Sequence, residues 1–86
     1  MKVYVGNLPW SVTDLELQNL FTPFGSVESA RVVTDKDSGR SRGFGFVEMA
    51  GHHAITAIAK LNGQQIESRA LRVNEAQSRE KSTSAF

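Results

Sequence analysis

The amino-acid sequence predicts an α+β sandwich of order βαββαβ, with a four-stranded antiparallel sheet and two helices on one of its faces. Three observations predict it. Strand-like segments occupy residues 2–8, 27–34, 43–49 and 69–75; segments of helical period lie between the first and second strands and between the third and fourth; and a polar cluster joins the middle two strands as a hairpin. Right-handed crossovers of the two split βαβ units place both helices on the same side, leaving the other side of the sheet bare.

The first strand alternates Val3 and Val5 against Lys2 and Tyr4 and stops at Leu8-Pro9. The first helix carries three start devices. Thr13 is the N-cap, Glu16 closes a capping box, and Val12 faces Leu17 as a hydrophobic staple. Leu17, Leu20, Phe21 and Phe24 then form one apolar face, and Pro23 with Gly25 ends the helix. Val27 to Thr34, rich in β-branched residues, is the second strand; Asp35-Lys36-Asp37-Ser38-Gly39 is a turn, and Gly43 to Met49 is the third strand. Ala54, Ile55, Ile58 and Leu61 mark a second amphipathic helix, closed by Lys60 and Gly63. The fourth strand runs from Arg69 to Glu75, and residues 77–86, without period and with few apolar groups, read as a short disordered tail.

The 86 residues leave room for one domain, which at this size buries roughly 60 to 65% of its unfolded surface. An apolar fraction of 40% and a charged fraction of 22% are ordinary for a folded soluble domain. With no cysteine there is no disulfide, thiolate metal site or cysteine nucleophile, which fits a reducing compartment. No apolar run reaches the ~18 residues of a membrane span, so no membrane partner is expected and a cytoplasmic location is the default. The net charge of +1 names no partner by itself.

Parity within the strands says more. In the third strand Arg42, Phe44, Phe46 and Glu48 share one face, and Gly45, Val47 and Met49 share the other. Arg42 and Glu48 are costly to bury whereas Val47 and Met49 suit a core, so the phenylalanines point to the bare side. The first strand agrees, with Lys2 and Tyr4 outward. Three rings on the two central strands then sit together on the uncovered surface, where Lys2, Arg31, Arg42 and Arg72 outweigh Glu48. Adjacent exposed rings form a stacking platform for unpaired bases.

These residues resemble the RNA recognition motif family over nearly the whole chain, up to about Ala76. Val3-Tyr4-Val5-Gly6-Asn7-Leu8 is similar to the family's hexamer on its first strand, and Arg42-Gly43-Phe44-Gly45-Phe46-Val47-Glu48-Met49 to its octamer on the third. Met49 stands where an aromatic is usual, but on the core side; Ser68 replaces a frequent glycine before Arg69. The resemblance implies a ferredoxin-like fold for residues 1–76 and single-stranded RNA as the partner. It also implies that Tyr4, Phe44 and Phe46 stack on bases or ribose, that Arg42 bonds a phosphate, and that Asn7, Arg31, Arg72 and Asn74 are secondary contacts. Lys2 and the loop residue Arg40 complete the candidate cations. A post-transcriptional regulator or RNA-chaperone-like binder is expected, a monomer similar to the single-domain bacterial members of the family, with no cofactor. Single-stranded DNA stays open as a ligand, since 2′-hydroxyl contacts separate the two.

Blander readings compete. The rings could bury against the tail or a protein partner, and lone arginines are often merely solvated or paired with Glu28 or Glu48. Trp10 is expected to pack over the first helix, because tryptophan is usually largely buried. His52 and His53 point about 100° apart on a helix and do not form an i, i+4 metal pair, so they read as polar helix-start residues. Gly43 and Gly45 alternate with phenylalanine inside a strand and lack the Lys-Ser/Thr of a phosphate loop; easy strand initiation and close helix packing account for them. As alternatives in function, a peptide-binding domain of the same plan would work through its helices, and a small phosphatase would need a basic anion loop after the first strand. Gly6-Asn7-Leu8-Pro9-Trp10 has no such group, and no catalytic residue is expected.

Overall fold

In the computed structural model, which describes residues 1–76, strand β1 (Lys2–Gly6) ends where Asn7 takes a φ of 59° and turns the chain. The strand is thus shorter than the alternation to Leu8 suggests, because Leu8 swings down to be fully buried and its N–H bonds the Gly43 carbonyl oxygen at 2.8 Å. Helix α1 (Asp14–Phe21) starts as expected. The Glu16 N–H donates to Thr13 Oγ1 at 3.2 Å and the Thr13 N–H to Glu16 Oε1 at 3.0 Å, a complete capping box. Val12 and Leu17 on either side of it are both buried. After α1 a single 3-10 turn, Thr22–Phe24, carries Pro23 and stops at Gly25.

Strands β2 (Val27–Thr34) and β3 (Ser41–Met49) form the expected hairpin, and β3 begins two residues before the alternation suggests. A register shift between Val32 and Thr34 lies opposite Gly43, whose φ of 85° only glycine adopts readily. The Val32 N–H beside this irregularity is taken by Asp14 Oδ1 at 2.7 Å, which ties the first residue of α1 to the edge strand. Helix α2 (Gly51–Leu61) has no side-chain N-cap. Its buried positions are Ala54, Ala57 and Leu61, with Ile58 half-buried, while Ile55 is 60% exposed and does not belong to the core face. Small alanines let the helix lie close to the sheet; Ile55, about 100° round from Ala54, falls on its flank. Gly63, with φ of 88°, makes the turn after it.

The single fourth strand expected from Arg69 to Glu75 is divided. Strand β4 (Gln65–Ile66) and strand β5 (Arg69–Ala70) make a small separate hairpin, and β6 (Arg72–Glu75) alone joins the main sheet. Between them Leu71 turns inward, 1% exposed, and its N–H bonds Gln64 O at 2.9 Å. The main sheet has the order β2-β3-β1-β6, antiparallel throughout, so the two motif-bearing strands are central. Its covered face supplies Val3, Val5, Val47, Met49 and Val73, which meet Leu17 and Phe21 of α1 and Ala54, Ala57 and Leu61 of α2 in one core. Gly45 on that face is required by packing: a methyl there would collide with the Arg31 carbonyl oxygen and stand 3.0 Å from Leu17 Cδ2. No helix among the described residues is long and apolar enough to cross a membrane. The segment read as a tail, residues 77–86, lies outside the described residues.

Candidate nucleic-acid interface

The open face is built by strand register. Tyr4 stands opposite Phe46 on one side and Asn74 on the other; Gly6 stands opposite Phe44 and Arg72; Arg31 stands opposite Phe46; and Lys2 stands opposite Glu48. Partners in a sheet share a face, so these residues form one surface. The three rings meet there as a cluster: Tyr4 to Phe44 5.9 Å between centroids at 33°, Tyr4 to Phe46 5.8 Å at 63°, and Phe44 to Phe46 6.1 Å at 89°. All are half-buried, and none belongs to the core cluster or packs against it. Gly6 permits this pose, since a methyl at that position would sit 2.5 Å from the Tyr4 hydroxyl oxygen and 2.8 Å from its ring. Tyr4 therefore lies along β1 over Gly6, toward Phe44.

The cations around the rings differ in their placement. Lys2 Nζ lies 4.9 Å from the Phe46 centroid, a cation–π contact. Arg31 and Arg72 are exposed, and among the described residues neither makes an ion pair, so the pairing with Glu28 or Glu48 considered for them does not form. Arg40 lies in the β2–β3 turn, and Arg42 is the second residue of β3 beside it. The Arg40 carbonyl and N–H belong to that turn, bonding the Asp35 N–H and Ser38 Oγ. The alternation that puts Arg42 on the face is interrupted at Gly43, and the Arg42 charge helps to hold the Asp35 carboxyl ionised. The larger causes there are the backbone N–H groups of Ser38 and Asp37, which hold Asp35 below the ordinary value of 3.8.

Asn7 is committed internally. Its Nδ2 donates to Ala70 O at 2.8 Å and its Oδ1 accepts from Arg69 Nη1 at 3.2 Å, so the side chain fastens the end of β1 to the β4–β5 hairpin. Trp10 does not pack over α1; it is 67% exposed, with Nε1 3.8 Å from where a Cβ of Gly43 would stand. Leu8 and Val12 on either side of it fill the place it was expected to take. The His52 and His53 rings lie 4.0 Å apart, tilted at 53°, with His53 against Gly25.

Sequence reasoning missed one component, a groove of about 460 Å³ beside Phe46 whose polar lining includes Lys2, Ser29, Arg31 and Glu48. Ser29 pairs with Glu48 across β2 and β3, and its shared parity with Arg31 is the signal that finds it.

Known proteins share this architecture. Residues 3–72 match the sequence profile of the RNA recognition motif. The chain is 54% identical over 79 residues to the chloroplastic 28 kDa ribonucleoprotein of Spinacia oleracea and 52% identical to the chloroplastic RNA-binding protein CP31B of Arabidopsis thaliana. These alignments take in 91% of the chain but only 34% and 27% of those two proteins, so it spans about a third of their length or less. Among solved structures, the crystal structure of RNA binding protein PG1 superposes with a TM-score of 0.88 at 49% identity, over 92% of this chain and 96% of that one. The Rna15 domain with bound RNA (GU) gives 0.81 at 29% identity, over 90% and 83%. With the profile matched along most of its length and both motif strands at the centre of the sheet, the chain belongs to the RNA recognition motif family.

Proposed function

We propose that residues 1–76 bind single-stranded RNA across the open face, with bases stacked on Tyr4, Phe44 and Phe46. The observation that carries this reading is the ring cluster itself. Three aromatic side chains within 5.8 to 6.1 Å of one another stand on the central strands, outside the core that the fold needs. Base–aromatic stacking contributes about 1 to 3 kcal/mol per base and tolerates every base. Lys2, Arg31, Arg72 and Asn74 flank the rings and supply phosphate and base-edge contacts; Arg40 and Arg42 reach RNA that continues past the β2–β3 turn. Asn7 acts through its hold on the hairpin. The matched relatives are named as RNA-binding proteins and ribonucleoproteins, which supports the reading.

The protein acts as a monomeric binder, in keeping with a post-transcriptional or chaperone-like role, and the ring platform would take single-stranded DNA too. The relatives named above are plant chloroplast proteins and lend no support to a particular kinship with single-domain bacterial members. A cytoplasmic location is a proposal of the same kind, and a cysteine-free domain suits any reducing compartment.

Replacing Phe44 and Phe46 together by Ala tests the platform. Binding of a fluorescein-labelled RNA hexamer, followed by anisotropy, is expected to be lost while circular dichroism stays native. Unchanged affinity in the folded double variant rules the reading out.

A further inference from the structure

Glu48 is out of place on a surface for a polyanion. It is the acid that register sets among the open-face residues, paired with Lys2 on β1 and Ser29 on β2. Its side chain is 44% exposed; the terminal ammonium of Met1 lies 3.8 Å from Oε2, and among the described residues no hydrogen bond engages the carboxylate. That ammonium itself donates to Met49 O at 2.7 Å. Among the described residues the Glu48 carboxylate thus has lone pairs without a donor, beside the groove of about 460 Å³ that Phe46 also lines.

A carboxylate repels phosphate and accepts hydrogen bonds without donating any. What it takes from RNA is therefore an N–H on a base edge. Guanine is the one common base that presents two neighbouring donors, N1–H and N2–H, on its Watson–Crick edge, and the two oxygens of one carboxylate match that pair. The next atom along the same edge is the acceptor O6, and the ammonium beside Glu48 in register is Lys2, held 4.9 Å from the Phe46 centroid. Uracil has one N–H between two carbonyls, and adenine and cytosine each offer a single amino group, so none of them engages both carboxylate oxygens with neighbouring donors.

We propose that the groove beside Phe46 is a guanine subsite, in which the base displaces the Lys2 ammonium from over the Phe46 ring and stacks there, Glu48 accepts from its N1–H and N2–H, and the displaced Lys2 donates to O6. The subsite rests on the RNA-binding reading above and adds base choice to a platform that by itself tolerates every base. Arg31, directly opposite Phe46, is left to the phosphate of the same nucleotide.

The test uses labelled uridine hexamers carrying G, A, C, U or inosine at one central position, titrated against the 86-residue protein and its Glu48→Gln variant. Wild type is expected to favour the guanine hexamer by roughly five- to hundredfold, the range for a good bidentate base contact. Inosine, which lacks the 2-amino group, should lose much of that preference. E48Q should bind guanine and inosine alike, because its amide offers one acceptor and turns a donor toward the base. Equal affinity of wild type for all the hexamers overturns the subsite, as does a guanine preference that survives in E48Q. The Phe44→Ala/Phe46→Ala variant separates the two levels. Binding retained there sinks the platform, whereas binding lost there alongside a base-indifferent wild type sinks only the guanine subsite.

Discussion

The two faces of the main sheet are made by the same strands and differ in everything but backbone. On the covered face Val3, Val5, Val47, Met49 and Val73 are at most 1% exposed and lie against two helices. On the open face Tyr4, Phe44 and Phe46 carry larger side chains yet stay outside the core. A domain of this size has little apolar surface to spare, and three rings left off the core are what the proposed RNA platform accounts for. If the rings bind RNA as proposed, alternate residues of one strand serve two purposes, and stability and binding separate at single-residue spacing. Substitutions one position apart should then fail in different assays.

The largest expected effect lies on the covered side. Phe21 of α1 is fully buried in the core cluster, and Phe21→Ala should cost about 3 to 5 kcal/mol of unfolding free energy in urea titration. A loss below about 1 kcal/mol would mean that the core collapses around the gap and that this face is not the one holding the fold together. Next comes Tyr4→Leu, which keeps an apolar side chain and removes the ring. RNA affinity should fall by about 1 to 3 kcal/mol while the urea midpoint moves little. The reverse pattern, with stability lost and affinity kept, would break the division between the faces.

Legibility in the sequence follows the range of the interaction. The capping box is contained in Thr13 to Glu16, and it formed as written. Parity placed Tyr4, Phe44 and Phe46 together because a strand's side-chain alternation is fixed by its pleat. Signals that depend on what lies across the fold were not legible. Ile55 and Ala57 both suit a helix, and only the approach to the sheet made the alanine the inward residue. Trp10 has the composition of a core residue, but the room was taken by Leu8 and Val12. Asn7 sits inside a motif, yet its amide is used by Arg69 and Ala70, 62 and 63 residues away in sequence. Glu67 and Ser68 give no turn signal of the Asn-Gly kind, so nothing marks the β4–β5 hairpin, and Arg69 to Glu75 reads as one strand although Leu71 divides it.

That hairpin yields a smaller effect. Its two-residue turn places Glu67 at φ of 50° and Ser68 at 70°, a conformation glycine adopts without a side-chain penalty. Ser68→Gly should raise stability, by up to about 1 kcal/mol in urea titration, without changing RNA affinity. A change in affinity instead would join the hairpin, through Asn7, to the open face.

The smallest effect decides to which region Arg42 belongs. Asp35 Oδ1 accepts from the Asp37 N–H at 2.8 Å and the Ser38 N–H at 3.1 Å, and these bonds lower its pKa ahead of the Arg42 charge. A depressed folded-state value means that the carboxylate supports the turn at neutral pH. That support is lost as the pH falls below 3.8 and through the lower folded value. The Asp35 carboxyl, followed by NMR, should therefore titrate below 3.8, and Arg42→Gln should raise its midpoint only slightly. If Arg42→Gln instead returns the midpoint all the way to 3.8, the arginine is bound to the turn and reaches RNA only by leaving Asp35. A slight rise leaves the guanidinium free to serve the RNA.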